Sequence, residues 1–135
     1  MTNQKTIIDA SGGSLGRIAS LAAKQALLGK EIIVVNCNDA VITGKPRTTI
    51  AAYEKKRARG GSAQKGPYFP KSPERIMKRT VRGMLSYKQG RGDAAFKRVM
   101  CYNETPEEFK DTEKTSLKKT HHAKTIKLSE LSKEL

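Results

Sequence analysis

The segment with the most recognisable chemistry is Gly12-Gly13-Ser14-Leu15-Gly16, which follows a β-branched stretch and opens a run of helix formers. Nucleotide enzymes use a strand, a glycine turn and a helix in this order, because glycines let the backbone approach a pyrophosphate at a helix N-terminus. Asp39 lies just past the next apolar stretch, where a ribose-binding acid would stand. One reading is therefore a small nucleotide-binding enzyme built on residues 6–28, with Gly12, Gly13, Gly16 and Asp39 at its site. Three points weigh against it. The spacing is not the full G-x-G-x-x-G, no G-x-x-x-x-G-K-[ST] loop occurs, and the rest of the chain is short and basic for a second half-sheet with a substrate pocket. The same glycines also serve a purely structural turn, or a turn whose Arg17 and backbone amides contact RNA phosphate.

Other reactive groups form no constellation. His121-His122 are adjacent, so their rings diverge on either regular backbone, and no His-x-x-x-His or nearby Cys/Asp cluster completes a metal-ligand set. Cys37 and Cys101 stand 64 positions apart without repeated spacing, which excludes a disulfide scaffold and a cysteine zinc ribbon and leaves two buried thiols. The serines have no nucleophile-elbow setting and the acids are unpaired. The expectation is no catalytic residue, no metal, no cofactor and no small-molecule substrate.

Charge is the stronger signal. The 135 residues hold 27 Lys and Arg against 13 Asp and Glu, a net charge of +14. Residues 39–98 alone carry sixteen basic and four acidic side chains, whereas residues 99–135 carry seven of each. A solubilising surface mixes both signs, but Glu74 is the only acid between Lys55 and Arg91. This concentration reads as an electrostatic footprint for a polyanion. No apolar run approaches the roughly 18–20 residues needed to span a bilayer, and Asp9 and Gly12-Gly13 interrupt the only signal-like stretch. A cytoplasmic protein with no membrane partner is expected.

The elements that must position these cations follow from periodicity. Strands are expected over residues 5–10, 31–36, 40–43 and 98–102, and helices over 15–28, 49–57 and 73–85. A helical turn is expected over 93–97 and a short helix over 105–109, capped by Thr105. Strand, helix and strand in this order imply an α/β fold, a small central mostly parallel sheet with flanking helices. Residues 58–73, rich in Gly and Pro, read as a basic ordered loop, and Tyr68-Phe69 within it could stack on bases or pack beneath it. Residues 111–135 read as a polar, charge-balanced peripheral extension of one domain spanning 1–135. In the third helix, Ser72 is the expected cap and Pro73 the first helical residue. Met77, Val81 and Met84 fall within an apolar stripe of about 60°, while Arg75, Lys78, Arg79 and Arg82 fall within about 100° on nearly the opposite side. One face can pack on the sheet while the other meets phosphates. The same reasoning nominates Arg17, Lys45, Arg47, Lys55, Lys56, Arg57, Arg59, Lys65, Lys71, Lys88 and Arg91 as further phosphate contacts.

Several stretches, in order, carry a family resemblance: Ile8-Asp9-Ala10, Leu15-Gly16-Arg17-Ile18-Ala19-Ser20, Val34-Val35-Asn36-Cys37-Asn38, Thr43-Gly44-Lys45, Arg79-Thr80-Val81-Arg82-Gly83-Met84-Leu85, Arg91-Gly92 and Ala95-Phe96-Lys97-Arg98. Over residues 5–131 the sequence closely resembles the universal large-ribosomal-subunit protein number thirteen in its archaeal form. The resemblance implies a non-catalytic α/β protein on large-subunit ribosomal RNA, beside neighbouring large-subunit ribosomal proteins. It marks Arg17, Thr43, Gly44, Lys45, Arg79, Arg82, Gly83, Met84 and Leu85 as an RNA-facing or supporting surface, with Gly16, Gly44 and Gly83 as supporting turns. One departure is Ser86, where the family pattern has Pro after Gly-Met-Leu.

Overall fold

A computed structural model describes residues 5–58, 70–118 and 124–135. Four strands form the main sheet: β1 (Lys5–Asp9), β2 (Glu31–Val35), β4 (Val99–Cys101) and β5 (Thr115–Ser116). Their order is β4-β2-β1-β5 and every pairing is parallel, with Ile7 opposite Ile33 and Ile32 opposite Val99. The expected α/β class with a mostly parallel sheet is what the chain adopts. A second, antiparallel pair joins β3 (Val41–Thr43) to β6 (Thr125–Lys127).

Five helices flank these strands: α1 (Leu15–Leu27), α2 (Pro46–Ala58), α3 (Pro73–Gly83), α4 (Gly90–Lys97) and α5 (Leu128–Glu134). Alternation along β1 and β2 divides the core. Ile8, Ile32 and Val34 point into the main cluster with Ile18, Ala22, Ile76, Met77, Val81 and Val99, whereas Ile7, Ile33 and Val35 form a smaller cluster capped by Tyr102 and Phe109. Four consecutive β-branched residues in β2 are thus buried from both sides, as a central strand requires.

Tertiary contacts alter several expected boundaries. Helix α4 begins at Gly90, ahead of the helical turn expected over 93–97, and Gly92 is buried inside it. A Cβ on Gly92 would collide with the Ser86 carbonyl, so glycine is needed there for close approach of α4 to the preceding turn. Gly92→Ala is expected to cost about 1–3 kcal/mol or more, because the obstacle is backbone that cannot rotate away; a wild-type denaturation midpoint would refute that constraint. Ser86 itself donates its amide to no group among the described residues, so Pro at this position would forfeit no hydrogen bond.

The described residues near the end of the chain also contribute to the sheet and the core. Thr115–Ser116 pairs with β1, and Ile126, Leu128 and Leu131 sit within the main core cluster. Periodicity missed this because the apolar residues there are few and separated by charges; their burial depends on a distant groove. Thr105 does not cap the short 3-10 turn Glu107–Phe109, which starts from Pro106. Its hydroxyl instead donates to Asn36 Oδ1 at 3.0 Å. Asn36, in the left-handed region at φ 59°, donates through Nδ2 to Asp9 Oδ1 at 3.0 Å. These bonds tie together the ends of β1 and β2 and the segment after β4.

Arg98 closes the opposite end of α1. Its Nη1 donates to the Ala26 carbonyl at 2.9 Å, satisfying an acceptor in the last turn and placing a cation at the negative end of the helix. Arg98→Ala is expected to lower stability by roughly 1–2 kcal/mol, the scale of a partly buried charged hydrogen bond. An unchanged urea midpoint would show that this bond contributes nothing net.

Candidate nucleic-acid interface

Helix α3 is held by long-range contacts. Ser72 stands in extended N-cap geometry but makes no side-chain cap bond. The cap comes from Asn103, whose Oδ1 accepts the Glu74 amide at 3.0 Å. Pro73, Ile76, Met77 and Val81 are buried. Met84, expected in the apolar stripe, is 45% exposed because the helix ends at Gly83 and the following turn carries Leu85 inward instead.

On the other side of α3, Arg75 is exposed and Lys78, Arg79 and Arg82 are half-buried. Lys78 Nζ lies 5.2 Å from the Phe96 ring centre, and the Arg82 guanidinium lies 4.9 Å from that of Tyr87. Aromatic faces attract and orient these cations without neutralising them. The ion pairs Lys97–Asp93, Lys110–Glu107 and Lys127–Asp39 involve none of Arg75, Lys78 and Arg82. Arg75, Lys78, Arg79, Arg82, Pro70 and Phe96 line a shallow hollow of about 240 Å³.

A deeper groove of about 500 Å³ lies on the other flank of Arg79. Its walls are Ser14, Leu15 and Gly16 from the start of α1, Ile42 and Thr43 from β3, Tyr53 and Lys56 from α2, and Arg79, Thr80 and Gly83 from α3. Gly16 from α1, Lys56 from α2, and Arg79 and Gly83 from α3 are thus brought together from three separate places in the sequence. Lys56 Nζ sits 4.8 Å from the centre of the Tyr53 ring, and burial pushes the Tyr53 phenol above its ordinary pKa. Thr80 Oγ1 donates to the Ile76 carbonyl at 2.8 Å, leaving its oxygen as an acceptor.

Arg17, Lys45, Arg47, Lys55, Lys71, Lys88 and Arg91 are exposed but line neither hollow. Arg57 belongs to α2 by its backbone, and Arg59 and Lys65 lie outside the described residues, as do Tyr68-Phe69 and His121-His122. Of the three glycines expected in turns, only Gly44 has a turn conformation that demands glycine, with φ +127°. Gly16 is in the first turn of α1 and Gly83 is the last residue of α3. Phe96, Tyr53, Ser14 and Thr80 were not nominated as site residues; their side chains become relevant only once α4, α2 and α1 converge on α3.

The nucleotide-site reading fails on backbone bookkeeping. The Gly12 amide donates to the Asp39 carbonyl and the Gly13 amide to the Ala10 carbonyl, so neither is available to a pyrophosphate. A Cβ on Gly12 would lie 2.9 Å from Lys118 Cγ, so that approach is already occupied, and the Asp39 carboxylate faces Lys127 at 4.0 Å. The glycines make the strand-to-helix turn. Their similarity to a nucleotide motif has a topological source: by succession along the chain the sheet runs third, second, first, fourth, the order of four of the six strands in a dinucleotide-binding sheet.

The cysteines meet in space despite their separation. Hydrogen bonding with the Cys101 thiol, then burial, pushes the Cys37 thiol far above its ordinary pKa, so it stays protonated and unreactive in the folded chain. Among the described residues no group of three or more His, Cys, Asp or Glu could hold a metal, and no helix is long and apolar enough to cross a membrane.

A small sheet that presents an amphipathic helix, cations outward and apolar side chains inward, defines a basic α/β binding scaffold. Comparison with known sequences gives this scaffold its family. A family profile described as Ribosomal protein L13 matches residues 3–108. The large ribosomal subunit protein uL13 of Methanosarcina barkeri is 47% identical over 136 residues, covering 96% of each chain. That of Archaeoglobus fulgidus is 51% identical over 108 residues, 80% of this chain and 69% of its own. That of Methanocaldococcus jannaschii is 44% identical over 133 residues, covering 96% of each. The chain belongs to the ribosomal protein L13 family, a family of ribosomal proteins and not of enzymes.

Proposed function

We propose that this protein is a structural constituent of the large ribosomal subunit that binds and organises folded ribosomal RNA. The observation that carries the reading is the division of α3. Ile76, Met77 and Val81 anchor it in the core, while Arg75, Lys78, Arg79 and Arg82 stand together on the side away from that core. The mechanism is passive. A rigid sheet holds a comb of positive charge at fixed spacing, and RNA phosphates with matching spacing dock on it, which positions RNA without reading bases.

Arg17, Lys45, Arg47, Lys55, Lys56, Arg57, Arg59, Lys65, Lys71, Lys88 and Arg91 extend this contact beyond α3, with Gly16, Gly44 and Gly83 shaping the supporting backbone. The chain acts as one domain in the cytoplasm, against large-subunit RNA and neighbouring large-subunit proteins. Binding to large-subunit ribosomal RNA is expected to fall steeply with salt, with a log–log slope of about −4 to −9 if six to ten phosphates are neutralised. A flat slope, or loss of the native protein from the large subunit after a mild salt wash, would sink the proposal.

A further inference from the structure

We propose that the groove between α1, β3, α2 and α3 seats one unpaired ribonucleotide of the large-subunit RNA, its phosphate between Lys56 and Arg79 and its base in the cleft left open by Gly16 and Gly83. This rests on the RNA-binding reading and goes beyond it, because the α3 cations alone would explain docking on a convex duplex surface. A duplex cannot enter a concave site, whereas an extruded nucleotide can, and folded RNA presents its sequence information through such unstacked bases. The volume of about 500 Å³ falls in the range of sites that enclose small organic groups.

The lining matches a nucleotide part by part. Leu15, Ile42 and Tyr53 supply apolar and aromatic surface for a base, and Lys56 and Arg79 supply positive charge for its phosphate. The Thr80 hydroxyl donates its hydrogen bond to the Ile76 carbonyl, so its oxygen is left to accept from a ribose 2′-hydroxyl or a base amino group. The Tyr53 phenol, kept neutral by burial, keeps its proton.

The two glycines are the most informative part of the lining. Neither Gly16 nor Gly83 has positive φ, and a Cβ on either would meet nothing within 4 Å. Backbone geometry and internal packing therefore leave both positions open to better helix formers. Both stand on the walls of one groove, where a missing side chain widens the space available to an incoming group.

The test is a matched set of variants on the full chain, each measured for Tm and for affinity to transcribed large-subunit ribosomal RNA across a salt series. Gly83→Leu and, independently on the opposite wall, Gly16→Leu are expected to keep or raise Tm. Each should weaken RNA binding by about tenfold, the scale of an overfilled site, with the salt slope unchanged because no cation is lost. Lys56→Gln is expected to reduce the steepness of that slope by about one unit. Wild-type affinity in both folded leucine variants overturns the proposal. Failure of the RNA reading itself is separately visible as a flat salt slope for the unaltered protein.

Discussion

Replacing Arg75, Lys78 and Arg82 together by Gln is expected to weaken binding to large-subunit ribosomal RNA by roughly 10²- to 10³-fold near about 0.1 M salt, and to reduce the steepness of the log–log slope by about 2 to 3. Each phosphate contact releases a fraction of a counterion, so three contacts removed should appear both as lost affinity and as lost salt sensitivity. The fold should persist, because the buried side of α3 is untouched. The losses at Phe96 and Tyr87 are two partly solvated cation–π contacts, worth about 0.5–1 kcal/mol each. Circular dichroism and the thermal midpoint provide the control. Unchanged affinity in a folded triple variant would place the RNA contact elsewhere, and an unfolded variant would show that these cations serve the fold.

Leu131→Ala is expected to cost about 2–5 kcal/mol, the transfer energy of the removed atoms plus the cavity left behind. For a chain of this size that corresponds to a fall in Tm of roughly 3–5 °C per kcal/mol. Leu131 is 0% exposed, three residues after Leu128 at the start of α5, and the two share the core cluster with Ile76 and Val81. The paired control is Leu28→Ala, since Leu28 is 67% exposed just past α1. It should shift stability by no more than about 0.5 kcal/mol. Equal, small effects at both positions would mean that residues 125–135 lie against the core without stabilising it.

The regular elements were legible where one segment carried its own evidence. The β-branched run in β2 needed burial on both faces, and the small apolar residues of α1 recurred at helical spacing. The rank of four cations on α3 was equally legible, because helical geometry alone puts them on one side. Boundaries failed where a distant partner intervened. Helix α4 starts three residues earlier than its expected start, because a buried Gly92 lets it approach Ser86, and the cap of α3 comes from Asn103 and not from Ser72.

By itself the sequence determined the α/β class, the concentration of charge and the amphipathic helix that displays it, since these follow from local periodicity and from counting ions. Only the tertiary structure decided that Gly12 and Gly13 spend their amides inside a turn, and that Ile126, Leu128 and Leu131 complete the core. It also placed Gly16, Tyr53, Lys56, Arg79 and Gly83 around one groove. The reason is physical. A hydrogen-bond partner, a cavity wall and a close approach are relations between residues far apart in the chain, and no local spacing encodes them.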